Sequence, residues 1–143
     1  MIKHIMVPYD QSDPASRALD VAIDLARKYA GAKISVVSCV VPQVPMDPEF
    51  GASYAETMTL IRQNASSALA KIESKLKDLG IPAKAEVLEG VSITEELLNY
   101  AEANGVDIIV MGSRGLGGFK KLLLGSVASG VSQHSKCPVL IIK

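Results

Sequence analysis

Apolar residues enter this chain in two alternating rhythms. Short runs, "HIMVPYD" (4–10), "KISVVSCVV" (33–41), "AKAEVLEG" (83–90), "VDIIVMG" (106–112) and "PVLIIK" (138–143), alternate with longer stretches where apolar positions recur every three or four residues. The runs predict strands and the spaced stretches predict amphipathic helices. Between the first two runs, Ala15, Ala18, Leu19, Ala22, Ile23, Ala26 and Tyr29 share one helical face. Asp13 reads as the N-cap there, Pro14 as the first helical position and Gly31 as the stop. A second helix is predicted from Tyr54 to Leu79, with Met58, Ile61, Ala65, Leu69, Ile72, Leu76 and Leu79 on one stripe and Gly80 ending it. The third opens on a capping box, Ser92 with Glu95, and ends at Gly105. A last helix is expected from Ser126 to about Ser135. Residues 33–41 are apolar enough for a strand covered on both faces, whereas 83–90 is weaker and suits a place near an edge. Strand and helix alternate five times, with intervals long enough for right-handed crossovers. The expected architecture is therefore an α/β three-layer sandwich around a parallel sheet, in a single domain spanning 1–143.

Composition narrows the function more than the fold. Hydrophobic residues make up 48% of the chain and no stretch is of low complexity, which excludes a disordered protein. Fifteen basic side chains balance fifteen acidic ones, with two Phe, four Tyr and no Trp. That leaves no electrostatic or stacking case for a nucleic-acid partner. Cys39 and Cys137 lie far apart without a C-x-x-C, and such a pair fits a reducing compartment. No apolar run approaches the roughly 18 residues that would span a bilayer, and no signal peptide opens the chain. A cytoplasmic location without membrane contact is the expectation. His4 and His134 have no ligand-spaced Cys, Asp or Glu, so neither is expected to bind metal or catalyse. Ser129 and Ser132 near His134 invite a hydrolase reading, but no G-x-S-x-G occurs.

The candidate chemistry lies in "MGSRGLGGFKKLLLGSVASG" (111–130), which holds six of the eleven glycines together with Arg114, Lys120 and Lys121. Glycine gathers where backbone turns sharply or approaches something closely, and basic residues beside it suggest an anion. The stretch leaves the fourth strand and feeds a helix start near Ser126, an arrangement suited to phosphate. The common fingerprints fail. No glycine is followed by Lys and then Ser or Thr, as a P-loop requires, and Lys120 stands where G-x-G-x-x-G needs its last glycine. What occurs is Gly112, Gly115, nine residues, then Gly125 and Ser126. A second unusual strand end, Pro8, Tyr9 and Asp10, would meet it if sheet topology brings the first and fourth strands together. Each residue also has a plain structural reading: Asp10 as a turn former, Ser126 as an N-cap, Gly117 and Gly118 as turn residues, Lys120 and Lys121 as solvated charges. Cys39, in an apolar strand, reads as core.

The spacing G-x2-G-x9-G-[ST] resembles the ATP-binding signature of the universal stress protein family. "IMVPYDQSD", "VDIIVMGSRG" and "LLLGSVASGVSQHSKCPVLIIK" are similar to that family's opening, fourth strand and C-terminal third; residues 42–56 carry no resemblance. The resemblance implies a five-stranded sheet in the order 3-2-1-4-5, of the adenine nucleotide alpha hydrolase-like kind. It also implies a site for ATP, or ADP or AMP, with Mg²⁺ accompanying the triphosphate. In that site Asp10 would accept from the ribose hydroxyls, while Pro8 and Tyr9 would line the adenosine. Val40, with Val41 the alternative, would meet the adenine edge through its backbone. Met111 at the strand end, then Gly112, Arg114, Gly115, Gly125, Ser126 and Val127, would surround the phosphates. A homodimer through strand 138–142 is implied as well. Slow hydrolysis at most is expected, because the loop contains no Glu, Gln or His. Two rivals stand beside this reading. A nucleotidyltransferase or ATP pyrophosphatase of related fold would carry H-x-G-H or S-G-G-x-D-S, and neither string occurs. A nucleotide-free dimeric adaptor would not need the glycine spacing.

Overall fold

The computed structural model describes residues 1–42, 47, 49, 51–115 and 124–143. Among the described residues nine elements follow one another: β1 (His4–Pro8), α1 (Asp13–Lys28), β2 (Lys33–Val40), α2 (Gly51–Asp78), β3 (Ala83–Glu89), α3 (Ile93–Ala103), β4 (Ile108–Gly112), α4 (Ser126–His134) and β5 (Val139–Ile142). All pairings are parallel and the sheet order is β3-β2-β1-β4-β5. The weakly apolar β3 lies at one edge and β5 at the other, as expected.

Strand alternation sorts the core into two layers. Ile5, Val7, Ile34, Val36 and Val110 face α1 and α2, meeting Ala18, Leu19, Ala22, Leu69 and Leu76. Met6, Val37, Ile109 and Met111 face α3 and α4, meeting Leu97, Tyr100, Ala101, Ala128 and Val131. Strand order reverses between β1 and β4. Their pairing stops at Met6↔Ile109, so the two strands part beyond that point. This crevice, beyond the carboxyl ends, is where open α/β sheets take ligands.

Helix ends depart from the sequence reading in small, explicable ways. The α1 cap is Ser12, not Asp13, because the Ser12 hydroxyl accepts from the Ala15 N–H at 3.3 Å. Pro14 thus occupies the second helical position. Ser92 caps α3 as expected, accepting from the Glu95 N–H at 3.3 Å. Gly31, Gly80 and Gly105, which follow the first three helices, all have positive φ. The predicted α2 stripe holds only in part. Met58, Leu69 and Leu76 are buried, while Ile61 and Leu79 are exposed. At 28 residues α2 is about 42 Å long, whereas β2 and β3 have eight and seven residues and reach about 25 Å. The helix overruns the sheet, so its stripe cannot be covered throughout. Tyr29 is likewise exposed at the end of α1.

His4 is buried and structural. Its Nδ1 bonds the Asn104 carbonyl at 3.0 Å, and a carbonyl can only accept, so the proton sits on Nδ1. Nε2 then accepts from the Ser35 hydroxyl at 2.7 Å. Beside it, Asp107 accepts the Lys3 and His4 amide N–H groups at 2.8 and 2.9 Å and ties the start of β1 to β4. Burial lowers the His4 pKa below the ordinary imidazole value, with Lys33 and Lys84 pushing the same way and the Asn104 bond and Asp107 opposing. The unfolded chain therefore takes up this proton first as pH falls. Stability from neutral His4 is complete above about pH 6.5 and declines below it. The Asp107 carboxyl is depressed by its two amide bonds, so its contribution is lost only at lower pH, as it protonates. Unfolding free energy should fall from pH 7 to pH 5, and His4→Gln should flatten that slope. An unchanged slope in the variant would show that another group controls it.

Candidate functional site

Three segments converge at the crevice. The first is the end of β1. Tyr9 N–H donates to the Val37 carbonyl at 2.8 Å, and the Ser38 hydroxyl donates to the Tyr9 carbonyl at 2.5 Å. Asp10 follows, one carboxylate oxygen accepting from the Ser12 N–H at 3.0 Å. Between them Gln11 has φ 67°, a left-handed conformation costly for a residue with a Cβ. The sequence marked a turn at Asp10 but not the strain at Gln11, since neither Gly nor Asn stands there.

The second segment leaves β4. Met111 is buried in the core on the α3–α4 side. Buried Ser113 anchors the chain after it: its N–H donates to the Ile142 carbonyl at 2.7 Å, and its carbonyl accepts from Gly125 N–H at 2.6 Å. The third segment is the start of α4. Gly125 is its N-cap, so no side-chain bond caps the helix, unlike α1 and α3 with their serines. Ser126 is exposed in the first turn, and Val127 packs partly against the α3–α4 core.

The glycines of the spacing motif have separate reasons, and none is a left-handed backbone: among the described glycines only 31, 80 and 105 have positive φ. A Cβ on Gly112 would lie 2.7 Å from Pro14 Cβ and 2.8 Å from the Pro14 carbonyl carbon. This glycine lets α1 approach β4. A Cβ on Gly115 would lie 2.5 Å from an Asp10 carboxylate oxygen. A Cβ on Gly125 would stand 3.3 Å from both Arg114 Cα and Ser113 O, so the two limbs of the loop touch there. Gly130, the sixth glycine of the stretch, faces Thr94 of α3 and serves helix packing.

The fold thus brings Asp10, Arg114, Gly115 and Gly125 into one place, with Pro8 and Tyr9 behind Asp10 and Ser126 at the helix start. Val40 is buried at the end of β2, on the far side of β1, and its carbonyl already accepts from Gly90 N–H at 3.2 Å. The β1–β2 pairing ends at Pro8↔Val37, three residues before Val40, which pairs with Glu89 of β3. Gly117, Gly118, Lys120 and Lys121 lie outside the described residues.

The other chemical candidates resolve into structure. His134 is exposed and bonds the Gly130 carbonyl at 3.0 Å, while the Ser132 hydroxyl donates to the Ser129 carbonyl at 3.0 Å. These are local bonds within one helix and form no catalytic triad. Cys39 is half-buried, not core as expected, and burial together with Glu96 and Glu89 raises its thiol pKa. That favours an unreactive, protonated thiol.

Comparison with known proteins agrees with this fold. The profile of the Universal stress protein family matches residues 1–143. Universal stress protein MJ0531 of Methanocaldococcus jannaschii is 33% identical over 144 residues, covering all of this chain and 83% of its own length. The solved structure of MJ0577, from the same organism, superposes with a TM-score of 0.85 at 29% identity, covering 100% of this chain and 96% of that one. A universal stress protein solved in complex with cAMP superposes with a TM-score of 0.71 at 25% identity, covering 99% and 97%. With sheet order, length and profile in agreement, the chain belongs to the universal stress protein family.

Proposed function

We propose that this protein binds an adenine nucleotide, ATP or else ADP or AMP, in the crevice between β1 and β4, and acts as a nucleotide-dependent stress-response or signalling protein. The contact of Asp10 with Gly115 carries the reading. It sets a hydroxyl-accepting carboxylate beside a glycine loop and a helix start that has no side-chain cap. A nucleotide asks for those two chemistries side by side, at its ribose and at its phosphates. The residues present fit such a ligand. Asp10 would accept from the ribose hydroxyls, with Pro8 and Tyr9 along the nucleoside. Val40 would meet the base through a carbonyl that keeps a second lone pair after bonding Gly90. Backbone N–H groups at Gly115, Ser126 and Val127, with Arg114, would hold the phosphates, Gly125 allowing their close approach while its own N–H stays on the Ser113 carbonyl. A bound nucleotide would supply negative charge against the positive end of the α4 dipole. Mg²⁺ would travel with the triphosphate rather than sit in a protein cage. The cAMP complex of a relative supports nucleotide chemistry on this fold.

Hydrolysis should be slow or absent, since residues 112–126 contain no Glu, Gln or His to orient water. The same reading places the protein in the cytoplasm and pairs two copies through 138–142. Asp10→Ala tests the site. Hydrogen bonds to charged groups contribute about 1.5–3 kcal/mol. Calorimetry should therefore show ATP binding at least roughly tenfold weaker, with the fold intact by circular dichroism. Binding equal to wild type would put the nucleotide elsewhere and leave Asp10 a turn residue.

A further inference from the structure

Among the described residues, the backbone at the end of β1 takes hydrogen bonds from the β2 side. Its pairing with β4 stops at Met6, and Pro8 has no N–H to give. Beyond that point β2 supplies the bonds: Val37 O to the Tyr9 N–H, and the Ser38 hydroxyl to the Tyr9 carbonyl. The second is unusual. It comes from a side chain and grips the peptide unit that links Tyr9 to Asp10. A peptide unit is a rigid plane, so turning it swings the Asp10 Cα and the carboxylate with it. On the other side of Asp10 stands Gln11 with its positive φ, a conformation the chain keeps only while its flanks are fixed. The Asp10 carboxylate is held at one oxygen by the Ser12 N–H at 3.0 Å, and its other oxygen lies beside Gly115.

We propose that Ser38 is a positioning residue for this site: its bond to the Tyr9 carbonyl sets the Asp10 carboxylate and so governs how strongly ribose hydroxyls are read. The proposal rests on the nucleotide reading. It adds a residue outside the glycine signature, on the strand that also carries Val40. The hydroxyl therefore joins the ribose side of the site to the base side.

The test compares ATP with 2′,3′-dideoxy-ATP, by calorimetry, on wild type, Ser38→Ala and Ser38→Thr. Threonine keeps the hydroxyl and suits a strand. Ser38→Ala should weaken ATP by roughly fivefold, the size of one ordinary hydrogen bond, while barely changing the dideoxy analogue. The preference for ribose hydroxyls should shrink, and Ser38→Thr should restore it. Equal losses on both nucleotides, or none on either, would overturn the proposal. If wild type binds neither nucleotide, the functional reading fails. The exchange rate of the Ser12 amide, which reports the Asp10 bond, then decides for Ser38. Faster exchange in Ser38→Ala upholds the positioning role and unchanged exchange overturns it.

Discussion

Gly112→Ala should destabilise the protein, while Gly115→Val should leave its stability nearly unchanged and abolish nucleotide binding. A sequence motif treats the two glycines alike, but their surroundings differ. An alanine Cβ at 112 would sit within 3 Å of Pro14, including its backbone carbonyl carbon, and backbone at a helix start cannot step aside. Helix α1 must move off β4, and overpacking of this kind costs about 1–3 kcal/mol. At 115 the obstacle is the outer oxygen of an exposed carboxylate, which can turn away. Surface changes of that sort stay within about 0.5 kcal/mol. The displaced carboxylate, however, is Asp10, and the valine would also occupy the approach to the loop. Denaturant unfolding with a matched ATP titration separates the two effects. Equal stability losses in both variants would mean that the whole loop is structural.

Ile141→Pro should convert the proposed dimer to monomer. In β5 the Pro138 and Ile142 carbonyls accept from Ile109 and Ser113 N–H, so the even-numbered residues face β4. Backbone groups alternate along a strand, which turns those of Val139 and Ile141 to the outer edge. An open edge of this kind invites a second copy across a two-fold axis. Proline at 141 removes one outward N–H and is tolerated on an edge strand. Leu140→Pro is the contrasting control, because its N–H faces β4 and its loss damages the sheet itself. Light scattering at micromolar concentration should give twice the chain mass for wild type and the single mass for Ile141→Pro. A wild-type protein that stays monomeric at hundreds of micromolar would remove the dimer from the proposal.

The fold was legible because its signals are local. Apolar runs and glycine stops located the strands and helices of the described residues, with ends displaced by a few residues where a cap competed, as Ser12 did with Asp13. The α2 stripe misled because periodicity reports which residues could be buried, not whether a sheet extends beneath them. At the site, spacing alone marked Gly112, Gly115, Gly125 and Ser126, and their separate tasks appeared only once Pro14, Asp10 and Arg114 were placed against them. Ser38 and Gln11 carried no signal at all. A serine in an apolar strand looks like a flaw until its partner is known, and a positive φ at glutamine has no compositional mark.

Calorimetry of ATP with wild-type protein stripped of bound small molecules decides whether the crevice between β1 and β4 holds an adenine nucleotide. The expected result is saturable binding of one ATP per chain, displaced by ADP and lost in Gly115→Val. Absence of any heat up to millimolar ATP would contradict it.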